Sequence, residues 1–439
     1  MIVRIGRDGK AVTEPNETIT ETLITLDNRE HSLAMEFAPK TPGPRSRVAV
    51  VLMHCDLNYM GLPMAPALAR RGYHVLAAQS FSNGDLDRKL EILAGHMKYL
   101  RANPDIDKIV LMGHSGGATL MTAYQAVAEN GPEVFQGGKM VYKCRLKEKP
   151  ERADGIMLID ANYGNGVMSL LSLDPAVVEE GIGMKLDPAF DILDPANGFD
   201  PAGAQYPPEF IKKYRLAQKK RNDALIALAL ERLDKLEKGE GNFVDDEPFL
   251  IAAADQPKPN NRMLPQDLRT LSHTKGEYDL VHGDGSVTHE IIRSVRTPEC
   301  NVCFSKTYGM GVNKNTVRGF LSSQALRTTE DFAVEADGVT GVDWGSSYAT
   351  PIGNIEHIHV PALMMGMTGS YEFIAAEMIY DHAPMEDKTI AFIQGATHMF
   401  DPNHAAEKTP GEFGDTEKAL YDYMAAWMDR FTEKEEARA

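Results

Sequence analysis

The chain has 439 residues, 43% of them hydrophobic and 25% charged, a balance typical of soluble globular proteins, in a length that exceeds one ordinary domain. Its formal net charge of −17 argues against nucleic acid or an anionic membrane as a partner. Four cysteines are too few for a disulfide scaffold, no run approaches ~18 uninterrupted apolar residues, and the opening residues lack an apolar leader, so the expected compartment is the cytoplasm.

In chain order, apolar or alternating runs at 19–26 and 32–37, split by Asp27-Asn28-Arg29-Glu30, predict a hairpin. A loop at 40–44 leads into 48–53, a continuous apolar strand that ends at His54-Cys55-Asp56. A helix over 62–71, a strand over 72–78 and a helix over 85–100 follow; the last carries Leu86, Leu90, Leu93, Met97 and Leu100 at helical spacing. Buried strands are expected at 108–112 and 153–160, and this succession predicts a largely parallel sheet with an antiparallel start. From about 164 to 356 the alternation stops. Pro-rich and acidic stretches at 186–208 and 245–265 flank a long helix at 208–238, and 297–350 shows no clear period. The rhythm resumes with a strand at 359–365, a helix at 373–382, a strand at 389–393 and an amphipathic helix at 416–431.

Gly113-His114-Ser115-Gly116-Gly117 matches Gly-x-Ser-x-Gly. With Gly and Ser each near 7% of residues, three fixed positions arise by chance in about one chain in seven of this length, so the setting decides. Here an apolar strand precedes the motif, and Ala118, Leu120, Met121, Tyr124 and Val127 give a helical pattern after it. Strand, tight turn, helix is the setting in which the serine is a nucleophile on a strained elbow; otherwise the stretch is a plain strand–helix turn. Gly116 could then turn its N–H toward a developing oxyanion, with the helix N-terminus adding positive potential.

Other chemistries find little support. The glycines do not form Gly-x-Gly-x-x-Gly, and no Gly-Lys-Ser/Thr exists for a phosphate loop. Cys300-Asn301-Val302-Cys303 is a lone pair, whereas zinc needs two more ligands at matching spacing. His282 and His289 lie in a Gly/Asp-rich turn region and are expected on a surface or hairpin. No metal and no cofactor are expected.

With these parts in place, the chain resembles the α/β-hydrolases over roughly 20–163 and 357–431. The resemblance implies a mostly parallel eight-stranded sheet with helices on both faces. It divides the chain into a core, 1–163 and 357–439, and a large, mainly helical cap, 164–356, inserted after the sixth strand. It makes Ser115 the nucleophile after the fifth strand. His398, in Gln394-Gly395-Ala396-Thr397-His398-Met399-Phe400 after the last strand, becomes the base, with His404 its nearest competitor. The acid is expected after the seventh strand. The usual Asp is missing there, and Glu372 is the nearest carboxylate; Asp160, ending the sixth strand, is the alternative, with Glu377 and Asp381 behind them. Gly116 and Cys55 are the implied oxyanion donors, although His54-Cys55 departs from the commoner His-Gly. A serine at the elbow excludes members that use aspartate there.

The implied activity is hydrolysis of a small-molecule carboxylic ester through an acyl-serine. The alternatives are an amide or a carbon–carbon bond cleaved by the same triad, or a silent member that only binds a small ligand. The cap implies a bulky or apolar substrate, with Met168, Leu170, Leu171, Leu173 and Val177 either lining its pocket or packing the cap. A homodimer is possible, and no nucleic-acid or membrane partner is expected.

Overall fold

The computed structural model describes residues 4–5, 11–12, 17–26, 32–81, 84–181, 185–254, 263–298 and 311–433. The turn expected at Asp27 to Glu30 and the pair Cys300 and Cys303 lie outside the described residues.

The main sheet is built from β1 (Ile19–Thr25), β2 (Leu33–Pro39), β3 (Val48–Leu52), β4 (His74–Ala78), β5 (Lys108–Ser115), β6 (Gly155–Ala161), β7 (His273–Val281), β8 (Val287–Arg293), β9 (Ala362–Met367) and β10 (Lys388–Ile393). Their order across the sheet is β8-β7-β10-β9-β6-β5-β3-β4-β2-β1. The run from β7 to β4 is parallel throughout. The antiparallel start is made by β1 on β2 and β2 on β4.

The fold matches the α/β-hydrolase expectation, with ten strands rather than eight. The two additional strands, β7 and β8, come from inside the stretch assigned to the cap. β7 pairs in parallel with β10, Leu280 opposite Phe392, and β8 folds back on β7. The edge of β10 is apolar, and the hairpin supplies its missing backbone partners. Nor is the rest of 164–356 mainly helical. Beside α5 (Pro208–Glu237) and the short α6 (Val317–Ser323) and α7 (Pro351–Asn354) it holds two-stranded ladders at 177–179 with 185–186, Pro248–Ala252 with Val312–Thr316, and Thr328–Val334 with Val339–Val342.

Unbroken apolar strands bury both faces, and the two-residue period divides them between two cores. Ala49, Val51, Ile109, Leu111, Ile156 and Leu158 face one, while Val48, Val50, Val110, Met112, Met157 and Ile159 face the other. The first is covered by α2 (Leu86–Arg101), α3 (Gly117–Asn130) and α8 (Ile374–His382) through Leu90, Leu93, Leu120, Tyr124 and Ile379. The second is covered by α1 (Met64–Ala69) and α9 (Thr416–Met428) through Leu68, Leu420 and Met424. α2 begins where it should, because the Asp85 side chain accepts a hydrogen bond from Asp87 N.

After β6 the chain forms α4 (Asn165–Ser172), whose Val167, Met168, Leu170 and Leu171 join the first core. Buried Gln218 of α5 donates to the carbonyls of Leu171 (3.1 Å) and Leu173 (2.9 Å), satisfying acceptors that α4 leaves open at its C-terminal end. Among the described residues no helix is long and apolar enough to cross a membrane.

Candidate active site

The centre of the site is the turn from β5 into α3. Ser115 there has φ of +55°, a left-handed conformation that costs a side-chain-bearing residue on the order of 1–3 kcal/mol and needs its surroundings to enforce it. The enforcement is steric. A Cβ on Gly113 would stand 2.6 Å from Ala118 Cα, and one on Gly117 would stand 2.9 Å from Met53 O. Only bare backbone lets strand, turn and helix pass so closely. The pairing of β5 with β6 shifts register between His114 and Ser115, and Ser115 comes opposite Ala161. Ser115 is partly exposed, whereas Gly113, His114, Gly116 and Gly117 are all buried.

His398 lies in the loop after β10. That loop is tied to the end of β9 by Gly369 N donating to Ala396 O (2.8 Å) and Gly395 N donating to Thr368 Oγ1 (2.8 Å). His398 is 7% exposed. Its Nδ1 is 2.7 Å from Asp160 Oδ2, in a hydrogen bond, and 3.1 Å from Glu372 Oε2, which has no hydrogen-bond partner of its own. The resemblance to the α/β-hydrolases implies Glu372 as the first choice of acid. The bond instead runs to Asp160, a residue with φ of +40° at the end of β6, whose Oδ1 accepts from Met367 N at 2.9 Å while Oδ2 meets the imidazole. Both carboxylates are buried, so three ionisable groups share one dry space.

Burial dominates the Glu372 carboxyl; the His398 charge opposes it, Asp160 adds to it, and the group is pushed up to about 8. For His398 burial works against the cation, but Glu372 and then Asp160 outweigh it and hold the imidazole above its ordinary value.

The loop after β3 faces the elbow from the other side. His54 Nδ1 accepts hydrogen bonds from Asp56 N (2.9 Å) and Leu57 N (3.0 Å). Asp56, itself half-buried, is held in turn by the buried Lys89 Nζ (3.1 Å) and Asn165 Nδ2 (3.0 Å). The N–H groups of Cys55 and Gly116 have no hydrogen-bond partner among the described residues. Burial pushes the Cys55 thiol up to about 12, which leaves it an inert packing group.

A second anchor was not read from the sequence. The variable residue of the motif, His114, is buried; its Nδ1 is 2.8 Å from Tyr59 Oη and its Nε2 2.9 Å from His398 O. Nε2 must donate to that carbonyl, so Nδ1 accepts the Tyr59 proton and the ring is neutral. Burial first, then the His398 charge, holds His114 well below the ordinary histidine range. The rings of His54, Tyr59, His114 and His398 form one pile, with successive centroids 4.8, 5.8 and 4.5 Å apart. His114 thus ties the end of β5 to the backbone of His398.

The remaining candidates lie elsewhere. His404 is exposed and pairs with Glu407. Glu377 is buried, but it accepts from Lys275 N and Gly276 N of β7. Asp381 is exposed at the end of α8. His282 bonds Gln394 at the tip of the β7–β8 hairpin, and His289 on β8 is exposed beside Asp279.

The strand order, the elbow after the fifth strand and the histidine loop after the last strand make this the α/β-hydrolase fold. No family model and no curated protein matches the chain. Among solved structures it is similar to a hypothetical protein from Pseudomonas aeruginosa, at 13% identity, 98% of this chain, 99% of that one and a TM-score of 0.42. It is also similar to the α/β hydrolase GrgF from Penicillium, at 12% identity, coverage of 94% and 98%, and a TM-score of 0.42. Esterase B from Lactobacillus rhamnosis gives 10% identity, coverage of 95% and 90%, and a TM-score of 0.40. At these identities and scores the likenesses carry no argument about activity, which has to come from the site.

Proposed function

We propose that this chain is a serine hydrolase that cleaves a small-molecule carboxylic ester through an acyl-enzyme on Ser115. The observations that carry the reading are a strained Ser115, φ +55°, on the strand–helix elbow and a buried His398 whose Nδ1 is hydrogen-bonded to buried Asp160 at 2.7 Å, with the Glu372 carboxyl 3.1 Å away. That occupation fixes the tautomer and leaves Nε2 as the basic nitrogen.

A serine hydroxyl at its own pKa is a poor nucleophile, so His398 Nε2 takes its proton as Oγ bonds to the ester carbonyl carbon. The imidazolium that forms is stabilised by Asp160 through the 2.7 Å bond, with Glu372 alongside. The carbonyl oxygen becomes an oxyanion and accepts from Gly116 N–H and Cys55 N–H. Cys55 is favoured in its loop because the next two N–H groups, of Asp56 and Leu57, are already donated to His54. Collapse breaks the ester C–O bond, and His398 returns the proton to the leaving alkoxide. Water, deprotonated by the same nitrogen, then frees the acid and restores Ser115.

We further propose that part of 164–356 roofs the site. The Asn165 amide lies against Gly116, the Ala349–Thr350 backbone packs on Gly164, and Val295 bonds both Thr368 and Asn403 beside the histidine loop. Leu170, Leu171 and Leu173 are buried in the main core, which supports a packing role for them.

The test is a fluorophosphonate probe followed by peptide mapping, with turnover measured on p-nitrophenyl esters of rising chain length and on the matching anilides. Modification at Ser115, loss of turnover in Ser115→Ala and preference for esters are expected. Full activity in Ser115→Ala would end the reading.

A further inference from the structure

We infer that the His54 side chain is a third oxyanion donor, giving an N–H from Nε2 to the same oxygen that Gly116 and Cys55 serve. The inference rests on the acyl-serine reading and adds a residue to it.

The tautomer follows from hydrogen bonding. Nδ1 accepts two backbone N–H groups, at 2.9 and 3.0 Å, so it carries no proton, and a neutral ring must carry its proton on Nε2. The ring is neutral because burial, reinforced by Lys89 and His398 against Asp56, lowers it to about 4. Its direction is set as well. The imidazole stacks on Tyr59 with centroids 4.8 Å apart and planes 23° apart, and Tyr59 is itself pinned by His114.

Position points the donor at the elbow. A Cβ built on Gly116 would lie 3.0 Å from His54 Nε2, 3.1 Å from Cε1 and 2.9 Å from Asn165 Oδ1. Nε2 therefore stands directly over the residue that follows the nucleophile. It has no hydrogen-bond partner among the described residues, although the ring is only 6% exposed. An N–H with no protein acceptor, on a ring that is otherwise buried and beside two further unpartnered N–H groups, is the arrangement that a developing oxyanion completes. The same contacts suit a glycine at 116, since a Cβ there would crowd both Asn165 Oδ1 and the imidazole.

The rival role is structural, with His54 serving only to gather Asp56 N and Leu57 N through Nδ1. His54→Asn separates the two. Its short side-chain carbonyl can accept the same backbone N–H groups, as Asx turns do, while nothing reaches the place of Nε2. We expect the folded variant to lose ~10²–10³ in kcat with KM within about threefold, the usual cost of one oxyanion donor. Affinity for a trifluoromethyl ketone that forms a tetrahedral adduct on Ser115 should fall by a similar factor. Unchanged kcat, or a fall in kcat with unchanged ketone affinity, would overturn the inference. Wild-type labelling at Ser115 and ester turnover are scored first. Their absence would fail the hydrolase reading itself, whereas their presence with an unaffected His54→Asn would fail only the third donor.

Discussion

Glu372→Gln probes whether the second carboxyl beside His398 carries a proton. The residue is 1% exposed, its Oε2 stands 3.1 Å from His398 Nδ1, and Asp160 Oδ2 reaches the same nitrogen at 2.7 Å. Burial lifts the Glu372 carboxyl from the ordinary 4.5 to about 8. Between those values the folded protein keeps a proton that the unfolded chain releases, so stability falls as pH rises through the window. At ~1.4 kcal/mol for each tenfold change in proton affinity, the loss is on the order of 5 kcal/mol. Glutamine has no proton to release and escapes it. Unfolding entropy of ~2.1 cal/mol/K per residue gives roughly 0.9 kcal/mol/K for a chain of 439 residues, so the effect is about 5 °C in Tm. Thermal unfolding of both proteins followed by circular dichroism at pH 5 and pH 9 should show the Tm of Glu372→Gln, relative to wild type, rising by about that amount. A difference that stays constant between the two pH values would refute the protonated carboxyl.

Asp160→Asn should lower kcat by ~10³–10⁴ in a folded protein, because it leaves the His398 tautomer unfixed, while Glu372→Gln at pH 7 should cost less than about tenfold. The reverse order would return the orienting role to Glu372. His398→Ala should lower kcat by ~10³ or more, whereas an inert variant would remove the base from this loop. Gly113→Ala, with its Cβ 2.6 Å from Ala118 Cα, should cost ~1–3 kcal/mol or more, read as a fall in Tm; an unchanged Tm would deny the tight elbow.

The central strands were legible because burial on both faces leaves an unbroken apolar run, as in Val48–Leu52 and Ile109–Met112. The elbow was legible because its glycines answer to steric contacts two residues either side of Ser115. β7 was not. Its sequence, His273–Val281, mixes Lys, Gly, Glu and Asp, and its pairing with β10 spans more than a hundred residues, which no local pattern encodes. The ranking of the two acids depends on which carboxylate the fold brings to His398 Nδ1, a contact between residues 238 apart in the chain that no local pattern encodes. His114 and His54 sat beside motif positions, and their importance lies in which ring nitrogen meets which backbone group across the sheet. The one available signal was that both are histidines flanking the same elbow.

The β7–β8 hairpin also decides how far this chain can be taken apart. In a chain built as a scaffold plus an exchangeable cassette, residues 164–356 could be cut out or traded for another sequence. Here the middle of that stretch closes the flank of the scaffold. Removing it whole would strip the partner from Ala391, Phe392 and Ile393 and leave a naked parallel edge beside a buried apolar face. Such an edge recruits whatever strand it meets, including its own copy. Trimmed or chimeric versions should therefore be cut twice, before 273 and after 293, with the hairpin kept in place. The hairpin travels with the sheet, while the two flanking pieces, joined by the ladder of Pro248–Ala252 with Val312–Thr316, would have to be exchanged together and with their core-facing residues kept.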